Sequence, residues 1–350
     1  NWTCGTNTRD NACIYIGTDG SPQETTNKKS GGNVNNRIIA LIFGLALFGC
    51  SPSTDNETAL KEIVIGGTSG TELAEDQVFR KNNGSDPGTL DPHRAEGVPA
   101  SNVLRDLYEG LVSEEANGNY IPGVAESWTI SDDGKTYRFK IRENALWSNG
   151  DRIVAEDFVF SLRRSVDPKT LSNYSSMLYP IKNARDVVLG KLSPEALGVS
   201  AESEKILLIE LQEPTPYFIS LLTHSTTYPV HPASVKKHGS AFTRPENMVS
   251  NGAFTLSNWR IQDYILLTRN KEYWDDANTT LSQVYYYPLD NPDASLRRYR
   301  ANELDFTDTT PSEQLPWIKR NLKDELKITP YFGSYYYGFN NTKPPFKNNP

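Results

Sequence analysis

Cysteine is scarce in this 350-residue chain: Cys4, Cys13 and Cys50 are the three, and none follows Cys50. The long remainder therefore cannot close an intramolecular disulfide, and its stability must come from a buried core. About 290 residues are ample for that and suggest two lobes rather than one. Basic charge is also in deficit, with 36 Lys and Arg against 43 Asp and Glu and a net charge of −7. A nucleic-acid partner needs a basic face to neutralise phosphates, so none is expected. Long hydrophobic runs are missing too: the apolar stretch from Ile38 to Phe48 has 11 residues, against the ~20 that a membrane-spanning helix needs. Histidine is limited to His93, His224, His231 and His238, with no cysteine or clustered aspartate to complete a ligand set. No metal site is expected, and no cofactor. Gly-x-Ser-x-Gly elbows, phosphate loops and dinucleotide fingerprints are absent as well.

What is present begins with an export pattern. Arg37, the apolar run and Leu47-Phe48-Gly49-Cys50 look like a bacterial lipoprotein signal, in which the cysteine sulfur carries the lipid. Residues 34–50 are read as that signal, with Cys50 the lipid attachment site and Val34 the expected start of translation. Residues 1–33, which lack an initiating Met and apolar periodicity, are set aside as upstream sequence. The polar residues 51–60 read as a tether. A plain secretory signal is the alternative.

The body mixes two periodicities. Lys61 to Gly66 and Gln77 to Arg80 read as strands, the second entering an Asn82-Asn83-Gly84 turn. Val103, Leu104, Leu107, Tyr108 and Leu111 recur at helical spacing, with Ser101 as the expected N-cap. Trp128 to Ile130 and Tyr137 to Arg142 predict a hairpin with one wet face. Ala155, Phe158, Val159 and Leu162 line one side of a helix. Ile206 to Leu211, a hairpin of Thr255 to Trp259 with Tyr264 to Arg269, and Val284 to Tyr287 follow as strands, with Asp293 the expected cap of a short helix. The fold class is mixed α/β, or α+β.

Several short blocks in fixed order carry a resemblance: Arg80-Lys81-Asn82-Asn83-Gly84, Leu90-Asp91-Pro92-His93, Glu96-Gly97-Val98-Pro99, Val124-Ala125-Glu126-Ser127-Trp128, Trp147-Ser148-Asn149-Gly150-Asp151 and Glu156-Asp157-Phe158-Val159-Phe160-Ser161. The order continues through Ser165-Val166-Asp167-Pro168, Glu213-Pro214-Thr215-Pro216-Tyr217-Phe218, Asn251-Gly252-Ala253-Phe254-Thr255-Leu256 and Tyr335-Tyr336-Tyr337. Over residues 61–350 the chain resembles the periplasmic oligopeptide-binding proteins of ABC importers, extracellular solute-binding protein family 5. The resemblance implies a periplasmic-binding-protein-like architecture of the type II class with an extra small lobe. Lobe I would be 61–108 with 232–332, lobe II 109–231, and lobe III would start near 333 and be cut short at 350.

It also implies a ligand site. Glu96 and Val98 would face the cleft, Tyr174 would offer its ring and hydroxyl, and Tyr336 would be the contact from the triple tyrosine. For Glu96 and Tyr174 the residues alone fit a solvated loop equally well. Gly333 and Ser334 stand where many members have a cysteine, and the acidic group that receives the peptide amino terminus would lie in lobe III. The implied function is an extracytoplasmic, lipid-anchored, monomeric, non-enzymatic binding protein that delivers oligopeptides to an ABC permease and its ATPase subunits. A muropeptide-binding relative is the alternative within the class. An exported glycan hydrolase is the alternative outside it, with the acid pairs Glu114-Glu115, Asp132-Asp133 and Asp275-Asp276 to be tested against the two-carboxylate geometry such chemistry needs.

Overall fold

The computed structural model describes residues 13–15 as backbone, and 74–115, 117–328 and 336–347 in full. The predicted strand at Lys61 to Gly66 lies outside the described residues. The chain divides into two compact units, residues 1–16 with 68–329 and residues 17–67 with 330–350.

Along the first unit run β1 (Cys13–Tyr15), β2 (Val78–Asn82), α1 (Gly97–Leu107), β3 (Val112–Glu114), β4 (Tyr120–Pro122), β5 (Ala125–Ile130), β6 (Thr136–Ile141) and α2 (Ala155–Val166). Then come α3 (Ala184–Val188), β7 (Val199–Ser203), β8 (Ile206–Glu210), α4 (Phe218–Leu221), α5 (Pro232–His238), β9 (Phe254–Arg260), β10 (Tyr264–Arg269) and β11 (Gln283–Tyr287). The unit ends with α6 (Pro292–Arg300), β12 (Phe306–Thr307), α7 (Leu315–Asn321) and β13 (Leu326–Lys327). Among the described residues these strands form a seven-stranded sheet in the order β13-β1-β12-β2-β11-β10-β9, a four-stranded sheet β5-β6-β8-β7 and the pair β3-β4. The larger sheet is mixed, antiparallel across β9, β10 and β11 and parallel where β2 meets β11 and β12. The fold is mixed α/β. None of the described helices is long and apolar enough to cross a membrane.

The predicted hairpins form with the expected pairing. Ile130 pairs with Tyr137, and along β6 Tyr137, Phe139 and Ile141 are buried while Arg138 and Lys140 are exposed. That alternation of apolar and basic side chains is what a half-wet strand requires. α2 buries Ala155, Phe158, Val159 and Leu162 as their spacing predicts.

Two caps differ from expectation. α1 starts at Gly97, four residues before Ser101, because Pro99 sits in the first turn where its missing N–H costs no hydrogen bond. α6 is capped by Asn291, whose Oδ1 accepts the Ala294 amide at 2.9 Å, and not by Asp293, which lies inside the helix.

Several of the ordered blocks form joints between elements. Asn251 receives the Glu109 amide at 3.2 Å and donates to the Glu109 carbonyl at 2.9 Å. Gly252 next to it lies so close to α1 that a Cβ would stand 2.6 Å from the Asp106 carbonyl oxygen, which leaves glycine as the residue that fits. The Glu109 carboxylate is buried and accepts from Tyr273 Oη at 2.7 Å and Trp274 Nε1 at 2.6 Å. Burial pushes its pKa up to about 7 despite those bonds. Arg142 covers the Trp274 ring at 3.6 Å, linking the end of β6 to the larger sheet's connections. Buried Trp147 donates to Asp157 at 3.0 Å and meets the His231 ring edge-on, while His231 Nε2 reaches Asp151 at 3.0 Å.

Candidate functional site

The loop between β2 and α1 carries the first two site residues, and the sequence builds it in steps. Asn82 closes the turn by accepting the Gly84 amide at 2.8 Å. Asn83 then donates to the Pro99 carbonyl at 3.0 Å and accepts from Asn102 at 3.1 Å, fastening the strand end to the start of α1. Between them Asp91 folds a local turn of its own: its backbone carbonyl takes the Arg94 and Ala95 amides at 3.0 and 2.8 Å, and its Oδ1 takes the His93 amide at 3.1 Å.

Arg164 from α2 secures this turn. Its guanidinium forks onto both Asp91 oxygens at 2.9 and 2.6 Å, and Nη1 also donates to His93 Nδ1 at 2.7 Å. His93 then donates from Nε2 to the Tyr228 carbonyl at 2.9 Å. Burial, with the Arg164 cation beside it, lowers the His93 pKa to about 4, so the ring is neutral at pH 7. Burial alone would raise the Asp91 pKa, but the Arg164 hydrogen bonds and charge outweigh it and hold the carboxyl below its ordinary range. Arg164 is largely buried, and a planar bidentate pair of this kind fixes orientation as well as charge.

Held by that frame, the loop turns outward. Gly97 has φ +80°, a left-handed conformation that glycine adopts at no steric cost. Glu96 stands at the N-cap of α1 without capping it, and its carboxylate instead accepts a hydrogen bond from Asn173 Nδ2. Val98 is 61% exposed. Tyr174 follows Asn173 in the loop after α2, where Asp167 accepts the Lys169 amide at 2.9 Å and Leu171 takes a left-handed φ of 58°. Tyr174 is 36% exposed and its ring meets His224 edge-on, 5.1 Å between centroids.

Ala95, Gly97, Val98, Ser101, Tyr174, His224 and Ser225 line an open cavity of about 200 Å³. Three sequence-predicted residues thus meet: Val98 and Tyr174 line the cavity, and Glu96 is tied to Tyr174's neighbour. Tyr336 belongs to the second unit and is 82% exposed. Tyr335 and Cys50 lie outside the described residues. Asn173, Ser101, Ser225 and His224 were not foreseen from the sequence. For His224 the signal was available, since it directly precedes Ser225-Thr226-Thr227, a turn its ring can cap.

The cavity's hydroxyls and imidazole do not form a nucleophilic set. His224 Nδ1 accepts the Thr226 amide at 3.2 Å, where a triad would place a carboxylate, and no hydrogen bond joins the ring to Ser101 or Ser225. The acid pairs serve other ends. Glu114, Glu115, Asp132 and Asp133 are exposed, Asp133 closing a turn through Ser131 and Lys135, and Asp276 is paired with Arg269. Among the described residues no group of three or more His, Cys, Asp or Glu side chains could hold a metal ion.

The family model of the bacterial extracellular solute-binding proteins, family 5 Middle, matches residues 119–349. The periplasmic oligopeptide-binding protein OppA of Escherichia coli K12 is 44% identical over 280 residues, 79% of this chain and 51% of that protein. The same organism's probable deoxycholate-binding periplasmic protein YgiS is 44% identical over 278 residues, 79% of this chain and 52% of its own length. Its periplasmic murein peptide-binding protein MppA is 37% identical over 279 residues, 79% and 52%. The crystal structure of Haemophilus influenzae OppA in complex with the peptide RPPGFSPFR superposes with a TM-score of 0.77 at 41% identity, covering 79% of this chain and 55% of that one. The chain spans about half the length of the curated relatives it matches.

Proposed function

The chain belongs to the bacterial extracellular solute-binding proteins of family 5, and from that premise we propose that it binds oligopeptides outside the cytoplasm and delivers them to an ABC permease and its ATPase subunits. The observation that carries the reading is the loop from Glu96 to Val98, exposed on a frame of buried, charge-assisted hydrogen bonds. An extended peptide has one donor and one acceptor per residue. A receptor that tolerates many sequences needs fixed backbone groups for that main chain, and open, wet space for the side chains. Glu96, Val98, Tyr174 and Tyr336 are the proposed contacts.

In this reading residues 61–108 with 232–332 form one ligand-facing lobe, 109–231 the small extra lobe, and a further lobe begins near 333. The two ligand-facing lobes close about a hinge, driven by the higher affinity of the closed form for ligand. A lipid on Cys50 holds the monomer at a membrane; mass spectrometry of the mature N-terminus should find a diacylated cysteine, and an unmodified Cys50 would remove the anchor from the proposal.

The similarity to a murein peptide-binding protein supports a second reading, in which the ligand is a cell-wall peptide. Calorimetric titration of the full-length protein with a pool of tri- to pentapeptides, with a muropeptide and with deoxycholate separates the possibilities. Binding across unrelated peptides is expected. Binding of the muropeptide alone would move the function to wall recycling, and binding of deoxycholate alone would overturn the peptide reading.

A further inference from the structure

His224 lines the cavity beside Tyr174, yet its two ring nitrogens are in different situations. Nδ1 accepts the backbone N–H of Thr226 at 3.2 Å, and a nitrogen that accepts cannot carry the proton of a neutral imidazole. The proton is therefore on Nε2. Among the described residues Nε2 has no hydrogen-bond partner. The ring cannot swing to find one without leaving both the Thr226 amide and the edge of Tyr174, 5.1 Å away. Burial, reinforced by the Arg105 cation, lowers the pKa and favours the uncharged ring. The result is a neutral donor held in a fixed tautomer at the wall of a cavity.

We propose that His224 is a specificity-determining residue whose Nε2–H donates a hydrogen bond to an oxygen of the bound ligand, either a main-chain carbonyl or the terminal carboxylate of a peptide. This rests on the peptide reading above. A donor with one allowed tautomer discriminates: it rewards an acceptor at that point and disfavours an N–H or an apolar group, because the polar group left behind would be desolvated without a partner.

Two substitutions separate this role from the structural one. In His224→Asn the amide oxygen replaces Nδ1 and keeps the cap on Thr226, but the distal donor is gone. In His224→Gln the amide nitrogen reaches the position of Nε2, and the cap is lost. Calorimetry on the full-length protein with tri-alanine and tri-alanine amide should show His224→Asn binding about tenfold more weakly than wild type, with His224→Gln recovering most of the loss. If the tenfold loss appears with both peptides, the acceptor is a carbonyl oxygen that the amide retains. If it appears only with the free acid, the acceptor is the carboxylate. Imidazole ¹⁵N spectra of the wild type should show the Nε2–H form and a shift of Nε2 on adding peptide. Wild-type affinity in His224→Asn, or a greater loss in His224→Gln, would overturn the inference while the peptide reading stands. A wild-type protein that binds neither peptide would overturn the peptide reading, and this inference with it.

Discussion

His93 and His224 are both neutral rings with Nδ1 as acceptor and the proton on Nε2. They differ in what that proton finds. At His93 the circuit closes: Arg164 supplies Nδ1, the Tyr228 carbonyl receives Nε2, and the residue is buried. At His224 the circuit stays open: Nδ1 takes the Thr226 amide, and among the described residues Nε2 has no hydrogen-bond partner. The contrast separates two uses of one side chain. A closed circuit spends all its hydrogen-bonding capacity on the fold, and an open one keeps a group in reserve for a ligand at little cost to stability.

The hardest way to break this contrast is to remove the guanidinium. Arg164→Met should leave Asp91 buried without its partner and cost about 3–5 kcal/mol, read as a lowered urea midpoint. Arg164→Lys should fall between, since an ammonium cannot make the fork. If Arg164→Met proves nearly neutral, the closed circuit is no scaffold.

Acid tests the same circuit by titration. The folded His93 pKa of about 4 lies below the unfolded value, so its contribution is complete above about pH 6.5 and is lost as pH falls toward 4, on the order of 3 kcal/mol. Asp91, whose pKa is also lowered, adds to the loss at still lower pH. Glu109 opposes them: its pKa is raised to about 7, so its contribution is complete below about 4.5 and is lost as pH rises through 7. Between about pH 4.5 and 6.5 these two contributions oppose each other, so each partly masks the other in the wild type. His93→Gln should uncover a decline with rising pH, and Glu109→Gln should uncover a rise, both measured by urea unfolding across that window.

The open circuit should be far less sensitive. His224→Asn and His224→Gln are expected to change stability by within about 1 kcal/mol, the range of one lost cap. Glu96→Gln should have the smallest effect, within about 0.5 kcal/mol, because its carboxylate is exposed and its partner Asn173 can also bond to an amide. A cost at His224 as large as at Arg164 would erase the distinction.

What could be read from the sequence was local. α2 was legible because four apolar side chains repeat at 3.6-residue spacing, and β6 because apolar and basic residues alternate. The cap of α6 was misplaced because Asp293 was preferred over Asn291, although Asn291 directly precedes a proline suited to the first helical position. The resemblance led to Glu96, Val98 and Tyr174, and their juxtaposition is what the folded chain adds. Asn173 and Glu96 are 77 positions apart, and Arg164 and Asp91 are 73. No periodicity or motif records pairings across such separations, and nothing in the sequence sets Arg164 apart from Arg163 beside it.

Those separations also set an order in time. The turn at Asp91 cannot be completed when it leaves the ribosome, because its guanidinium comes 73 residues later and the carbonyl that receives His93 comes 135 residues after that histidine. Until residue 228 has emerged, the Asp91 carboxylate and the His93 ring remain solvated, and closing so long a loop slows their assembly. The cavity rim should accordingly form only after residue 228 has emerged, and a chain halted before Tyr228 should be able to hold α1 and α2 but not the pocket.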